Sequence, residues 1–314
     1  MLARVAETIY WMARQMERAE NLSRFLEVNL SFLLDQPENL VDPWEPLVQV
    51  TGDTELYRER YPNFSAEHVI KFLAFDGGYG NSMLSSLRFA RENARSVREV
   101  LSSEAFEEIN DFYHFVMDAA KDNLEPTTEF FEQVRRKSLL WNGVFDATMS
   151  HDLRWHFANL GRLVERADKT SRILDVKYFN LLPQPEDAGT AVDDLQWSAL
   201  LYAISGFEAY RREHHLMDIN RVIEFFVFND RFPRSILCCV AGAEWSLTQI
   251  EKEHRERPGD AHSKMNALRE RLAASNVQQL HAKGMHEFID QIQLDLNNIG
   301  DTLNTDYFYA LDAS

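Results

Sequence analysis

The chain has 314 residues, 45% hydrophobic and 26% charged, with only 12 Gly and 9 Pro. That composition suits a soluble globular protein with a sizeable core and disfavours disorder or a turn-rich all-β fold. The formal net charge of −17 repels phosphate backbones and anionic lipid, so neither nucleic-acid nor membrane binding is expected; the run Arg135–Lys137 is too small to reverse it.

In chain order, the segment from Leu2 to about Leu34 has helical periodicity, with Val5, Ile9, Met12, Met16, Ala19, Ser23 and Leu26 on one face. It is amphipathic and charged, unlike the continuous apolar stretch of a signal peptide. After a loop with Pro37 and Pro43, a short apolar piece begins at Trp44. "FSAEHVIKFLAF" from Phe64 predicts a helix capped by Ser65, which "DGGYGNS" ends. "NSMLSSLRFARENARSVREVL" predicts the next helix, Ser103 to about Ala120 another, and Pro126 with Thr127 and Thr128 opens one toward Ala147. Ser150 is the expected cap of a helix reaching about Tyr178. "LLPQPEDAGTAVDD" predicts the longest loop, "RFPRSILCCVAGAEWSLTQI" a further helix, and Val277 to about Tyr309 one long final helix. No run of about 18 apolar residues exists to span a membrane. Adjacent Cys238 and Cys239 are poorly placed for a disulfide and predict reduced thiols, hence a cytoplasmic protein.

The chain repeats itself. "ERAENLSR" (Glu17 to Arg24) recurs as "ERADKTSR" (Glu165 to Arg172), an offset of 148 that also aligns Arg14 with Arg162 and Leu26 with Leu174. An offset of 153 then pairs Trp44 with Trp197, Tyr57 with Tyr210, Phe72 with Phe225 and Ser82 with Ser235. The expected architecture is all-α: a helical bundle of two tandem pseudo-repeats, residues 1–122 and 123–314, sharing one core.

On a helix, Arg14, Arg18 and Asn21 form one strip with Glu17 and Arg24 beside it; Arg162, Arg166 and Lys169 repeat the strip, flanked by Glu165, Asp168 and Arg172. Trp11 and Phe25 make the first of these helices apolar on two sides, so it is expected to be central and its arginines at least half buried. Buried guanidinium requires carboxylate partners or an anionic ligand. Two readings stand: an internal salt-bridge lattice, or a pocket gripping a carboxylate or phosphate. A second constellation comprises "FDGGYGNS", with Asp76 and Ser82, and "FNDRFPRS", with Arg231, Arg234 and Ser235. These sit at expected helix starts, where free N–H groups provide either ordinary caps or an anion site. "ARENAR" reads as a solvated face. No metal pattern is found: Glu251 and His254 form a single E-x-x-H, and His151 is expected at the surface. No catalytic residue is singled out.

Together, "MLARVAETIYWMARQMERAEN", "FLAFD…NS…ARENAR", "TMSHD…LGRLVERAD" and "FNDRFPRS" resemble the alpha-E domain proteins, bacterial all-helical proteins with Glu-Arg motifs, over nearly the whole chain as one domain, 1–314. The resemblance implies association with a circularly permuted ATP-grasp protein and, among other companions, transglutaminase-like or peptidase-like proteins. It thereby implies a helical partner in ATP-dependent amide-bond synthesis or peptide modification, the non-ATP-binding component of an amidoligase system. ATP and magnesium would belong to the partner, and this chain would bind no cofactor itself. The Glu-Arg pairs map to Glu17–Arg18 and Glu165–Arg166. Asn229 stands where the family commonly has Asp, and "GGYG" where the first half often has a proline. An acyl- or peptidyl-transferring enzyme and a non-catalytic scaffold are the alternatives.

Overall fold

A computed structural model describes residues 3–35, 44–122, 126–180, 191–254 and 259–309. The described residues are helices and connecting turns with no strand, and none of their helices is long and apolar enough to cross a membrane. The first part of the chain forms α1 (Ala3–Asp35), α2 (Glu45–Thr51), α3 (Thr54–Arg60), α4 (Ala66–Ile70), α5 (Met83–Ser96), α6 (Ser103–Lys121) and α7 (Thr128–Thr148). Then come α8 (Leu153–Asn180), α9 (Ala191–Ala203), α10 (Phe207–Glu213), α11 (Ile219–Val227), α12 (Ile236–His254), α13 (Asp260–Ala273), α14 (Val277–Lys283) and α15 (Met285–Leu303).

Capping explains most boundaries. Ser65, Ser82, Ser102, Thr127 and Asp218 each accept a backbone N–H of the first turn they precede. Four boundaries differ from expectation. Asp152, rather than Ser150, caps α8: its carboxylate accepts the Arg154 amide at 2.9 Å. Asp bonds the helix N-terminus more strongly because its acceptor is charged. The predicted loop Leu181–Asp194 lies outside the described residues as far as 190, and its last four residues belong to α9, which begins at Ala191. Helix α5 stops at Ser96, where Val97 leaves the helical region at φ −124°. The long final helix is broken at Gly284, whose φ of +97° only glycine adopts without strain; α15 then runs into a π-helical turn, Asn304–Tyr309.

Two helices form the centre. Helix α1 buries Ile9, Met12, Met16, Ala19, Leu22, Phe25 and Leu26, because α5, α7 and α8 all pack against it. Helix α8 is enclosed by α1, α12, α15 and α2. This matches a helix apolar on two sides. Tyr10 meets Gly161 and Glu17 meets Arg166, later residues meeting later ones, so α1 and α8 lie alongside in the same direction. Helix α7 runs opposite to α1, with Glu27 on Arg135 and Glu20 on Ser138.

The approach of α1 to α8 depends on Gly161. A Cβ there would lie 2.3 Å from the Tyr10 carbonyl oxygen, a backbone atom that moves only with its helix. Gly161→Ala is expected to cost about 1–3 kcal/mol by overpacking. By contrast Gly143→Ala, in α7 with nothing within 4 Å of its would-be Cβ, is expected to be stabilising by up to about 1 kcal/mol. Urea midpoints at unchanged m-value check both.

Candidate functional site

The Glu-Arg phrases face each other across the seam between α1 and α8, and each glutamate serves the arginine of the other phrase. Arg18 donates Nε and Nη2 to Glu165 at 2.7 and 3.1 Å. Arg166 donates Nε and Nη2 to Glu17 at 2.9 and 2.7 Å. Both are two-point guanidinium–carboxylate bonds, the strong and geometrically specific kind. The side chains of Glu17, Glu20 and Glu165 have no exposed surface.

Around Glu165, Arg14 adds a second guanidinium, with Nε at 2.9 Å and Nη2 at 2.8 Å, and itself lies over the Trp11 ring at 4.8 Å. Lys169 stands 3.9 Å from Glu165 and 3.2 Å from Asp168. Arg172 reaches Asp168 through Nε at 2.9 and 3.0 Å. The remaining Arg18 nitrogen donates to Asn81 at 2.6 Å; Asn81 in turn bonds Asp53, which also accepts the Tyr79 hydroxyl at 2.6 Å.

Around Glu17 the arrangement is tighter. Arg234 enters from the turn before α12, donating to Glu17 at 2.9 Å and Asn21 at 3.1 Å, and to Glu20. Arg24 binds Glu20 through Nε at 3.0 Å and Nη2 at 2.6 Å, and gives its last nitrogen to Ser205. Ser138 of α7 donates to Glu20 at 2.8 Å, and Asn21 reaches Glu17 at 3.4 Å. Arg162 departs from its repeat counterpart Arg14: it donates to the neutral amides of Asn142 and Asn159 at 3.2 and 2.6 Å.

Charge proximity outweighs burial at Glu165, Glu20 and Asp168. Burial pushes the Glu165 carboxyl up, but Arg18, Arg14 and Lys169 hold it well below the usual carboxylate range. Glu20, opposed by the same burial, is held at about 2 by Arg234, Arg24 and Arg166. Burial also pushes Asp168 up, and Lys169 and Arg172 bring it below its usual value. Two arginines register the crowding: burial, then the neighbouring Arg234, lowers Arg24 to about 10, and burial with Arg166 lowers Arg162; against burial, Tyr10 and Glu165 raise Arg14 and Glu17 raises Arg166. At this seam Arg14, Arg18, Arg24, Arg162, Arg166, Lys169, Arg172 and Arg234 outnumber Glu17, Glu20, Glu165 and Asp168, although the whole chain carries −17.

Of the expected site residues, Arg14, Glu17, Arg18, Asn21, Arg24, Glu165, Arg166, Asp168, Arg172 and Arg234 are joined in this lattice. Four are not. Ser82 and Ser235 are helix caps, accepting the amides of Ser85 at 3.1 Å and Cys238 at 3.2 Å. Asp76 binds Arg60, Tyr61 and the Gly78 amide at its own turn. The Arg231 side chain is 88% exposed, with Asp230 3.8 Å away. Glu20 takes a full share that the sequence reading missed; its i, i+4 spacing to Arg24 was the available signal. Asn81, which stands beside Ser82 in the "FDGGYGNS" constellation, joins the lattice through Arg18; Ser138 and Ser205 come from separate elements, and no local spacing announces them. His151 is exposed and stacked on Trp155 at 4.2 Å. Glu251 bonds His262 and Tyr307, tying α12 to α13 and to the final turn.

The fold and the lattice define an all-helical protein organised on paired Glu-Arg motifs. A family model described as a predicted alpha-helical domain with a conserved ER motif, Alpha-E, matches residues 1–308, and the chain belongs to that family. It is similar to uncharacterised proteins of Mycobacterium bovis and Mycobacterium tuberculosis, each 22% identical over 337 residues, covering 96% of this chain and 36% of the relative. The chain thus spans about a third of the length of the curated relatives it matches. No solved structure matches it.

Proposed function

We propose that this chain is the helical, non-ATP-binding partner of an ATP-grasp amidoligase, and that its Glu-Arg lattice holds an anionic group of the substrate or product during amide-bond formation. The observation that carries this is the surplus of cations over carboxylates at the seam of a strongly acidic chain, with Arg24 and Arg234 buried and the other cations partly buried. Desolvated positive charge without a matching acid favours an anion. The ATP-grasp companion is what the motif resemblance implies, with transglutaminase-like or peptidase-like proteins as further associates. ATP and magnesium then belong to the companion. In the longer mycobacterial relatives the corresponding region is joined to further chain, which suits a component that works beside another domain. Unpaired thiols at Cys238 and Cys239 support a cytoplasmic setting, and burial pushes the Cys239 thiol up to about 12, which disfavours the thiolate. The test is co-purification with the ATP-grasp protein and ADP release by that protein with and without this chain. Association and faster ADP release are expected; independent behaviour of the two proteins overturns the reading.

The same reading treats the chain as two tandem halves about an approximate twofold axis. The crossed pairs Arg18–Glu165 and Arg166–Glu17 support it. So do Gly52 and Ser205, 153 positions apart, which both have positive φ, at 81° and 53°. Each is approached by the corresponding arginine of the other half, Arg172 and Arg24. Because α7 packs on α1 and α15 on α8, the packing favours a division between α7 and α8 rather than at residue 122.

A purely structural role has its own support, since Arg24 and Arg166 have all their guanidinium nitrogens bonded. It predicts that Arg18→Ala lowers the melting temperature and changes neither association nor ADP release.

A further inference from the structure

We propose that the two charge clusters have different jobs: the one around Glu165 and Asp168 is an oxyanion site, and the one around Glu17 and Glu20 is a closed structural lock. This rests on the anion-holding reading and narrows it to one cluster.

Donor capacity at the corresponding arginines Arg24 and Arg172 separates the two. In the Glu17 cluster every guanidinium nitrogen of Arg24 and Arg166 has an acceptor, the last of Arg166 being the Pro233 carbonyl at 3.4 Å. The side chains of Arg24 and Arg234 are only 4% and 8% exposed. In the Glu165 cluster Arg172 gives Asp168 its Nε alone, and its Nη groups have no hydrogen bond among the described residues. Its side chain is 25% exposed, and that of Lys169 15%.

Three repeat positions produce the difference. Ser205, which takes the last Arg24 nitrogen, corresponds to Gly52, which has no side chain; Arg172 Nη1 lies 3.6 Å from where a Gly52 Cβ would be. Arg234, which plugs the closed cluster, corresponds to Asn81, turned instead toward Arg18 and Asp53. Asn21 corresponds to Lys169, so in the open cluster a cation sits on the helix itself. The result is a guanidinium fork whose Nη groups have no hydrogen bond among the described residues, and an ammonium that shares Asp168 with it, Arg172 Nε at 2.9 Å and Lys169 at 3.2 Å, with Glu165 also 3.9 Å from Lys169. A fork of parallel N–H groups matches two oxygens of a carboxylate or phosphoryl group, and the ammonium serves a third contact as a point charge.

The test titrates the full chain separately with inorganic phosphate and N-acetylglutamate at constant ionic strength, following arginine side-chain NMR signals. Saturable binding is expected, with Arg172→Gln or Lys169→Gln weakening it about tenfold or more, the loss of a charged bidentate contact. Ser205→Gly is expected to leave affinity unchanged, and circular-dichroism melts verify that each variant is folded. Binding of phosphate alone assigns a phosphoryl ligand, and of N-acetylglutamate alone a carboxylate; either supports the site. Equal loss from Ser205→Gly, or full affinity in folded Arg172→Gln and Lys169→Gln, overturns the division of roles and leaves the anion-holding reading standing. No saturable binding of either probe to the unaltered chain overturns both.

Discussion

Glu165→Gln is expected to lower the unfolding free energy by about 3–5 kcal/mol, the range for leaving buried charges without their counter-ion. The carboxylate it removes has no exposed surface and receives Arg14 and Arg18 together. Glutamine keeps the shape and one acceptor oxygen but not the charge, so two guanidinium groups, 16% and 14% exposed, would remain desolvated without their shared acid. Glu17→Gln is expected to cost a similar amount, for it joins Arg166 and Arg234. The control is Glu45→Gln, which breaks a pair whose arginine is 61% exposed; surface pairs contribute about 0–1 kcal/mol. Denaturant midpoints measure all three. A cycle of Glu165→Gln with Arg18→Gln should show coupling, because the double variant removes one of the stranded charges along with the acid. A Glu165→Gln cost no larger than that of Glu45→Gln would mean that water reaches the seam and screens the lattice.

The fold was legible where one local rule decided the outcome. Ser65 and Thr127 cap as their positions before apolar periodic segments indicate, and Trp11 and Phe25 on two sides of α1 foretell its central place. The reading failed where a single backbone angle ruled, as at Gly284, hidden within an otherwise helical pattern. It also failed where two capping candidates stood two residues apart, as Ser150 and Asp152 do. At the site, the repeated phrase revealed which residues would be buried and charged, because a polar strip on a helix apolar on two sides is enclosed by its neighbours. It did not reveal pairing. Glu17 and Glu165 exchange partners across the seam, Arg234 arrives from a turn more than two hundred positions away, and Glu20 looks in the sequence like a solvated flank. Asp76 and Arg231 were over-read for the converse reason: proximity to a helix start says nothing about which way a side chain turns. The difference between Gly52 and Ser205 gains meaning only once Arg172 and Arg24 are seen to approach them.

Acidification is expected to unfold the chain through the same lattice. Glu20 has its carboxyl lowered from 4.5 to about 2, and Glu165 and Asp168 are lowered as well. A carboxyl that binds its proton more weakly in the folded than in the unfolded chain contributes stability that is complete above its unfolded value and disappears as the pH falls through its folded value. The loss should therefore run from about pH 4.5 down to about 2, with Glu20 alone accounting for about 3 kcal/mol. General repulsion works the other way: with a net charge of −17 at pH 7, lowering the pH toward the pI of about 5.0 relieves self-repulsion and raises stability slightly. The two effects together give a maximum near pH 5 and a steep fall below it. Salt distinguishes them, since exposed charges are screened and buried pairs hardly at all. In 0.5 M salt, beyond the ~0.15 M at which the screening length is already about 8 Å, the rise from pH 7 to 5 should flatten while the fall below pH 4.5 persists. Glu20→Gln should make that fall shallower, because the variant has already lost the proton-linked group. Equilibrium unfolding at fixed pH steps measures the slope, and a profile flat to pH 3 in the unaltered chain would mean that the lattice carboxyls titrate alike in the folded and unfolded states.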